Sequence, residues 1–174
     1  WLAYDDEGGY LYAAWRISLG EMPYRDFLTP QLPLFLYPGA AVLVLTGYSV
    51  WAARFAMTVL TLGAAILCVA TVRRLWGAPT ALLALPLLLV QKEMFWAARF
   101  FRPEAPMLFW GMLGVWLFTL AYPARRRGLL CLASLSLGCS VLSKLFGALF
   151  LLGLALFLFA EGVRRRDWRD MVTT

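Results

Sequence analysis

Asp5, Asp6 and Glu7 follow one another ahead of Gly8 and Gly9, the densest negative charge in a chain of 174 residues that is 62% hydrophobic and 15% charged. Carboxylates grouped in this way can act as a general base: one takes a proton from an acceptor hydroxyl or amine, and its neighbour raises its basicity or helps hold a metal ion. The glycines let the backbone pass close to a substrate. The plainer reading is a solvated loop, or the start of a helix that negative charge stabilises. A second acid, Glu104, stands after Pro103 with Arg99 and Arg102 just before it, and Lys144 breaks an otherwise apolar run. Arginine grips phosphate through two parallel N–H donors, so Arg99 or Arg102 suits a phosphate ligand. Glu104 is then a second carboxylate of the site, against the plainer role of a first-turn helix acid. Lys144 must snorkel or meet an anion, because an ionised side chain at bilayer depth costs on the order of 3 kcal/mol. Such a constellation suits a substrate with a lipid tail and a phosphate head. It names no sugar.

The elements that must position these groups are membrane helices. An ordinary soluble domain carries about 25% charged residues, and here apolar runs recur that approach the roughly 20 residues a bilayer-crossing helix needs. They lack the alternation of barrel strands, and lipid offers unpaired backbone groups no partner. The fold class expected is therefore an all-α polytopic membrane protein. Residues 1–48 read as a loop with juxtamembrane helices, and residues 49–174 as a bundle of about five spans. A helix over 9–19 has the spacing and aromatic content of an interfacial segment. Residues 22–33, with three prolines, read as an irregular linker; residues 34–45 are apolar but short, and Pro38 with Gly39 interrupts them, which suits a re-entrant or surface helix. Spans are expected over 50–72, 78–96 (with Pro86 as a kink), 106–122, 128–143 and 146–160. Trp1 follows no initiator methionine and the start has no signal-peptide pattern, so the chain reads as an internal piece of a longer protein.

The connectors orient the bundle. Arg73 and Arg74, Arg125 to Arg127, and Arg164, Arg165, Arg166 and Arg169 follow the first, third and fifth spans, so they share one face, which the positive-inside rule makes cytoplasmic. The opposite face receives seven of the ten carboxylates, Asp5, Asp6, Glu7, Glu21, Asp26, Glu93 and Glu104, together with Arg99, Arg102 and Lys144. The formal charge of +6 is thus a matter of membrane topology, and no nucleic-acid partner is expected. No histidine occurs, which excludes imidazole catalysis and His-ligated zinc in this chain. Cys68, Cys131 and Cys139 lie in apolar segments and read as packing residues.

Several stretches in order, "DDEGGYLYAAWRISLGEMPYRDFLTPQLPLFLYP", "GYSVWAAR" opening a span that closes on "RRLWG", "ARFFRPEAPMLF" and "LSLGCSVLSKLFG", resemble the N-terminal membrane module of the dolichyl-phosphate-mannose protein mannosyltransferase-like family, which includes the aminoarabinose lipid A transferases. The resemblance implies a C-type glycosyltransferase that moves a sugar, with inversion, from a polyprenyl-phosphate carrier to a lipid, protein or glycan acceptor outside the cytoplasm. It implies Asp6 as the catalytic aspartate, Glu7 as its partner and Asp5 as an extra acid. Glu104 matches the family's acid at the start of a later span, and Lys144 a lysine that contacts phosphate. Where many relatives have a lysine and two prolines, this chain reads Gln31, Leu32 and Pro33, so Arg99, Arg102 or Lys144 must supply the missing charge. A first span ahead of Asp5 and the family's later spans would lie outside this chain. A divalent metal ion is left open as a cofactor.

Two rivals come from other classes. A transporter subunit also carries intramembrane Lys and Glu, but it calls for charges toward mid-span and a repeated half, neither of which the sequence has. A noncatalytic membrane subunit would use the acidic loop to bind a partner. Short connectors and the arginine usage suit a bacterial or archaeal plasma membrane, with membrane lipids as constant neighbours.

Overall fold

The computed structural model describes residues 5–165, and side chains over 6–164. Arg166 and Arg169, two of the arginines of the last connector, lie outside the described residues, as does the Asp5 side chain. The described chain is helical, with a single isolated bridge between Pro23 and Phe27. Three helices are long and apolar enough to cross a membrane, Val50–Trp76, Glu104–Ala121 and Leu145–Arg164, or four if the bent pair Ala78–Leu89 and Lys92–Arg99 counts as one span. Arg127–Ser143, expected as a span, is a shorter apolar helix.

Helix α1 (Asp5–Ser18) begins four residues ahead of the expected start, so the three acids occupy its first turn, where the free N–H groups favour negative charge. Gly20, at φ 92°, ends the segment, and a turn-rich linker follows in which Arg16 pairs with Glu21 and packs over the Phe27 ring at 4.8 Å. Helix α2 (Pro33–Leu45) runs unbroken through Pro38 and Gly39, unlike the interruption expected there. Proline removes one donor, and tertiary packing outweighs that loss. Gly39 lies against the Phe101 ring so closely that a Cβ would collide with it, which ties the middle of α2 to the connector before α6.

Ser49 accepts a hydrogen bond from the Ala52 amide at 3.3 Å and so caps α3 (Val50–Trp76). The second expected span is two helices, α4 (Ala78–Leu89) and α5 (Lys92–Arg99), which meet at 66°. The bend falls not at Pro86, which α4 accommodates, but at Val90 and Gln91, where a polar stretch ends the apolar run. α6 (Glu104–Ala121) and α7 (Arg127–Ser143) pack antiparallel through small buried residues, with Gly114 against Ala133 and Leu137, and Gly111 lies against the Phe150 ring. Small residues let membrane helices approach closely where no hydrophobic drive exists between them. The Ser140 hydroxyl donates to the Met107 carbonyl at 2.8 Å. A 3₁₀ turn (Leu145–Gly147) then leads into α8 (Ala148–Arg165).

Side-chain contacts show which helix ends lie together. At one end, the Arg74 Nε donates to the Thr119 carbonyl at 3.2 Å, joining the close of α3 to that of α6. At the other, the start of α3 meets α1 and the close of α5, and the start of α6 meets the close of α7. The acids gather at this second end and the arginine-bearing connectors at the first.

Candidate functional site

Glu7 is 1% exposed. Its Oε1 accepts from Arg54 Nε at 2.9 Å and from the Phe101 backbone N–H at 2.8 Å, and its Oε2 accepts from Arg54 Nη2 at 2.7 Å. This bidentate pair with a third donor satisfies the buried carboxylate, as an uncompensated charge would not be tolerated there. Glu7 therefore fastens α1 to the first turns of α3 and to the connector ahead of α6. The residue expected to be the partner of Asp6 thus has its carboxylate engaged with Arg54 and the Phe101 amide, facing inward one residue after Asp6. Phe101 is itself fully buried and packs on Phe35, with ring centroids 4.7 Å apart, and Tyr10 meets Phe35 edge-on at 5.5 Å.

Asp6 is exposed. Four residues on, one helical turn away, is Tyr10, and the surroundings of its phenol locate the other acid. Burial, then the Asp6 carboxylate, then the Glu104 carboxylate hold the Tyr10 hydroxyl above its ordinary pKa, and the Arg102 guanidinium works against them. Asp6 from α1 and Glu104 from α6 thus stand within electrostatic reach of one phenol.

Glu104 meets two cations. Its Oε1 accepts from Lys144 Nζ at 2.7 Å and from Arg102 Nη2 at 3.0 Å. Lys144 lies in extended backbone between α7 and the 3₁₀ turn, so of the two expectations for it, snorkelling or meeting an anion, the second is realised. Glu104 Oε2 and Arg102 Nε are buried and make no hydrogen bond among the described residues. Buried polar atoms are normally satisfied, and two orphans side by side mark where a polar ligand could be received. Beyond Lys144, whose ammonium lies 5.5 Å from the Phe146 ring, an apolar groove of about 300 Å³ runs between Met107, Leu108, Phe146, Leu149 and Phe150.

Arg99 stands apart from this cluster. It lines an open cleft of about 630 Å³ with Arg54, Trp51, Phe55, Thr58 and Phe100 on the outer side of α3 and α5. Among the described residues, no group of three or more His, Cys, Asp or Glu side chains converges. Glu104 is also already engaged by two cations, so the described side chains offer no donor set for a protein-held divalent ion.

Sequence reasoning left Arg54 unassigned and passed over Tyr10. The spacing of Asp6 and Tyr10 was a usable signal. The pairing of Arg54 with Glu7 had none, since it joins positions far apart in the chain.

A family model described as dolichyl-phosphate-mannose-protein mannosyltransferase matches residues 21–174. The match begins after the acidic segment, so the residues around Asp6 lie outside it. Neither the curated proteins nor the solved structures contain a match.

Proposed function

Because the chain belongs to the dolichyl-phosphate-mannose-protein mannosyltransferase family, we propose that it forms the reaction centre of a membrane glycosyltransferase that takes a sugar from a polyprenyl-phosphate carrier and delivers it to an acceptor outside the cytoplasm, with inversion. The observation that carries this reading is the cluster at the start of α6, where Glu104 Oε1 accepts from Lys144 and Arg102 while Glu104 Oε2 and Arg102 Nε are buried without a hydrogen bond among the described residues. Acids and a guanidinium at the mouth of an apolar groove match a donor that is polar at one end and lipid at the other.

In this reading Asp6, exposed and free of the ion pair that occupies Glu7, is the general base. It takes the proton of the acceptor hydroxyl as the acceptor oxygen attacks the anomeric carbon; the bond from that carbon to the phosphate oxygen breaks, and polyprenyl phosphate departs with the electron pair. A phosphate leaves without a general acid. It is stabilised by Lys144, which has N–H donors beyond the one given to Glu104, and by the unsatisfied Arg102 Nε. Glu104 Oε2 accepts from a sugar hydroxyl, and the groove from Met107 to Phe150 receives the first isoprenoid units. Glu7 acts as a positioning residue, holding the first turn of α1 so that Asp6 points away from it. Gln31 carries no charge, and Lys144 with Arg102 takes the place of the lysine that relatives have there.

The test is transfer from a radiolabelled polyprenyl-phosphate sugar by the intact membrane enzyme. Asp6→Asn is expected to lower turnover by about a hundredfold or more while membrane insertion is unchanged. Wild-type turnover in that variant would remove Asp6 as the base, and a wild-type protein that forms no glycoside from any such donor would favour the noncatalytic subunit.

A further inference from the structure

The cleft around Arg99 belongs to a different side of the molecule from the acid cluster, and its composition is amphipathic in a particular way. Trp51 and Phe55, on the outward face of α3, are 77% and 69% exposed, as expected of side chains that meet lipid. They sit in the first two turns of the longest membrane helix, and tryptophan favours the depth where headgroups and acyl chains meet. Between them and α5 the Thr58 hydroxyl donates to the Ala98 carbonyl at 2.6 Å, joining the two helices at the cleft. Two guanidiniums line it. The Arg54 charge is neutralised by Glu7. Arg99 is exposed, rests over the Phe95 ring at 4.8 Å, and has no carboxylate partner among the described residues. No acid occupies the first turn of α3 either. The cleft therefore carries one positive charge without a carboxylate partner among the described residues, walled by exposed aromatic rings at the start of a membrane helix.

We propose that this cleft is a binding site for an anionic phospholipid of the surrounding bilayer, whose phosphate pairs with Arg99 and whose acyl chains lie along Trp51 and Phe55. A bound lipid would brace α5 against α3 just ahead of the Phe101 amide that holds Glu7. The occupant is a bulk membrane lipid, not the sugar carrier, because this cleft shares no lining residue with the apolar groove beside Lys144 and neither Glu104 nor Arg102 lines it. The proposal does not depend on the transfer reaction.

Native mass spectrometry of the intact protein, freed from detergent with equal amounts of phosphatidylglycerol and phosphatidylcholine, tests it. Wild-type protein is expected to retain phosphatidylglycerol over phosphatidylcholine by about tenfold, the scale of one charge-assisted pair, and Arg99→Gln to lose that preference. Arg99→Lys keeps the charge without the planar fork and should retain part of it. Thermal unfolding in phosphatidylcholine alone checks that each variant is folded, and the lipid competition on wild-type protein stands without any variant. Equal retention of the two lipids, an undiminished preference in Arg99→Gln, or displacement of phosphatidylglycerol by stoichiometric polyprenyl phosphate would each overturn the proposal. The last outcome would make the cleft part of the donor site. Loss of transfer activity in Asp6→Asn leaves this result untouched, so the two readings fail separately.

Discussion

Adjacent acids can have opposite fates when a helix carries them. Asp6 and Glu7 differ by about 100° of rotation on α1, which turns one toward solvent and the other into the contact with Arg54 and the Phe101 amide. Removing Arg54 leaves a buried carboxylate with one remaining donor, and breaking such a pair costs on the order of 3 kcal/mol. Arg54→Ala should therefore lower thermal stability of the detergent-solubilised protein severely, and Glu7→Gln combined with Arg54→Gln should recover part of the loss, since two neutral groups replace an orphaned charge. Equal destabilisation in the single and double variants would show that packing, not charge, governs the site. Glu104 offers a subtler case. Glu104→Gln keeps the shape but releases Lys144 and Arg102, and the expected result is a KM for the donor raised about tenfold, with a smaller change in kcat, from the lost hydrogen bond to sugar. An unchanged KM would restrict Glu104 to starting α6.

At the scale of elements, the site depends on where helices stop. Lys144 reaches Glu104 because α7 ends one residue earlier and the chain turns through Leu145–Gly147 before α8 begins. Gly147 makes that turn possible: a Cβ there would run into the Ser140 backbone. Gly147→Ala is thus expected to cost about 1–3 kcal/mol, as overpacking does, and to weaken activity together with stability, measured as a lower melting temperature and a reduced turnover at a temperature where the variant is folded. The bend between α4 and α5 has a comparable consequence. It brings the close of α5 back onto the start of α3, where Thr58 and Ala98 meet, and so places Arg99 in the outer cleft and Arg102 at the acid cluster. Proline was the obvious place in the sequence to look for a kink. The structure bends at the polar residues beyond it, because the apolar run of α4 can continue past Pro86 as long as its surroundings are uniform, whereas Gln91, Lys92 and Glu93 cannot stay in an apolar layer.

Across the whole molecule, the cluster of Glu7 and Glu104 and the arginine-bearing close of α3 occupy opposite ends of the bundle. Substituted cysteines check this polarity: with the three native cysteines replaced, a membrane-impermeant maleimide added to intact cells should label Leu28→Cys, which is 93% exposed in the parent residue, and should label Arg126→Cys only after permeabilisation. Labelling of both positions in intact cells would separate Asp6 from its assigned face and end the mechanism in which it serves an acceptor outside the cytoplasm. What hydropathy and charge order determine by themselves is considerable: that the chain is a bundle of membrane helices, and that arginine-rich connectors alternate along it with the segments that carry most of its acids. These are one-dimensional properties, set by the length of each apolar run and the parity of the crossings. The tertiary structure alone decided that Glu7 turns inward to Arg54, that Glu104 takes Lys144 and Arg102 while leaving one oxygen unsatisfied, that Tyr10 lies within electrostatic reach of both acids, and that of Arg99 and Arg102, three residues apart, the first lines the outer cleft and the second bonds Glu104. Those outcomes follow from the rotation of each helix about its axis and from the places where helices break, which packing of many distant side chains sets together and no local pattern encodes.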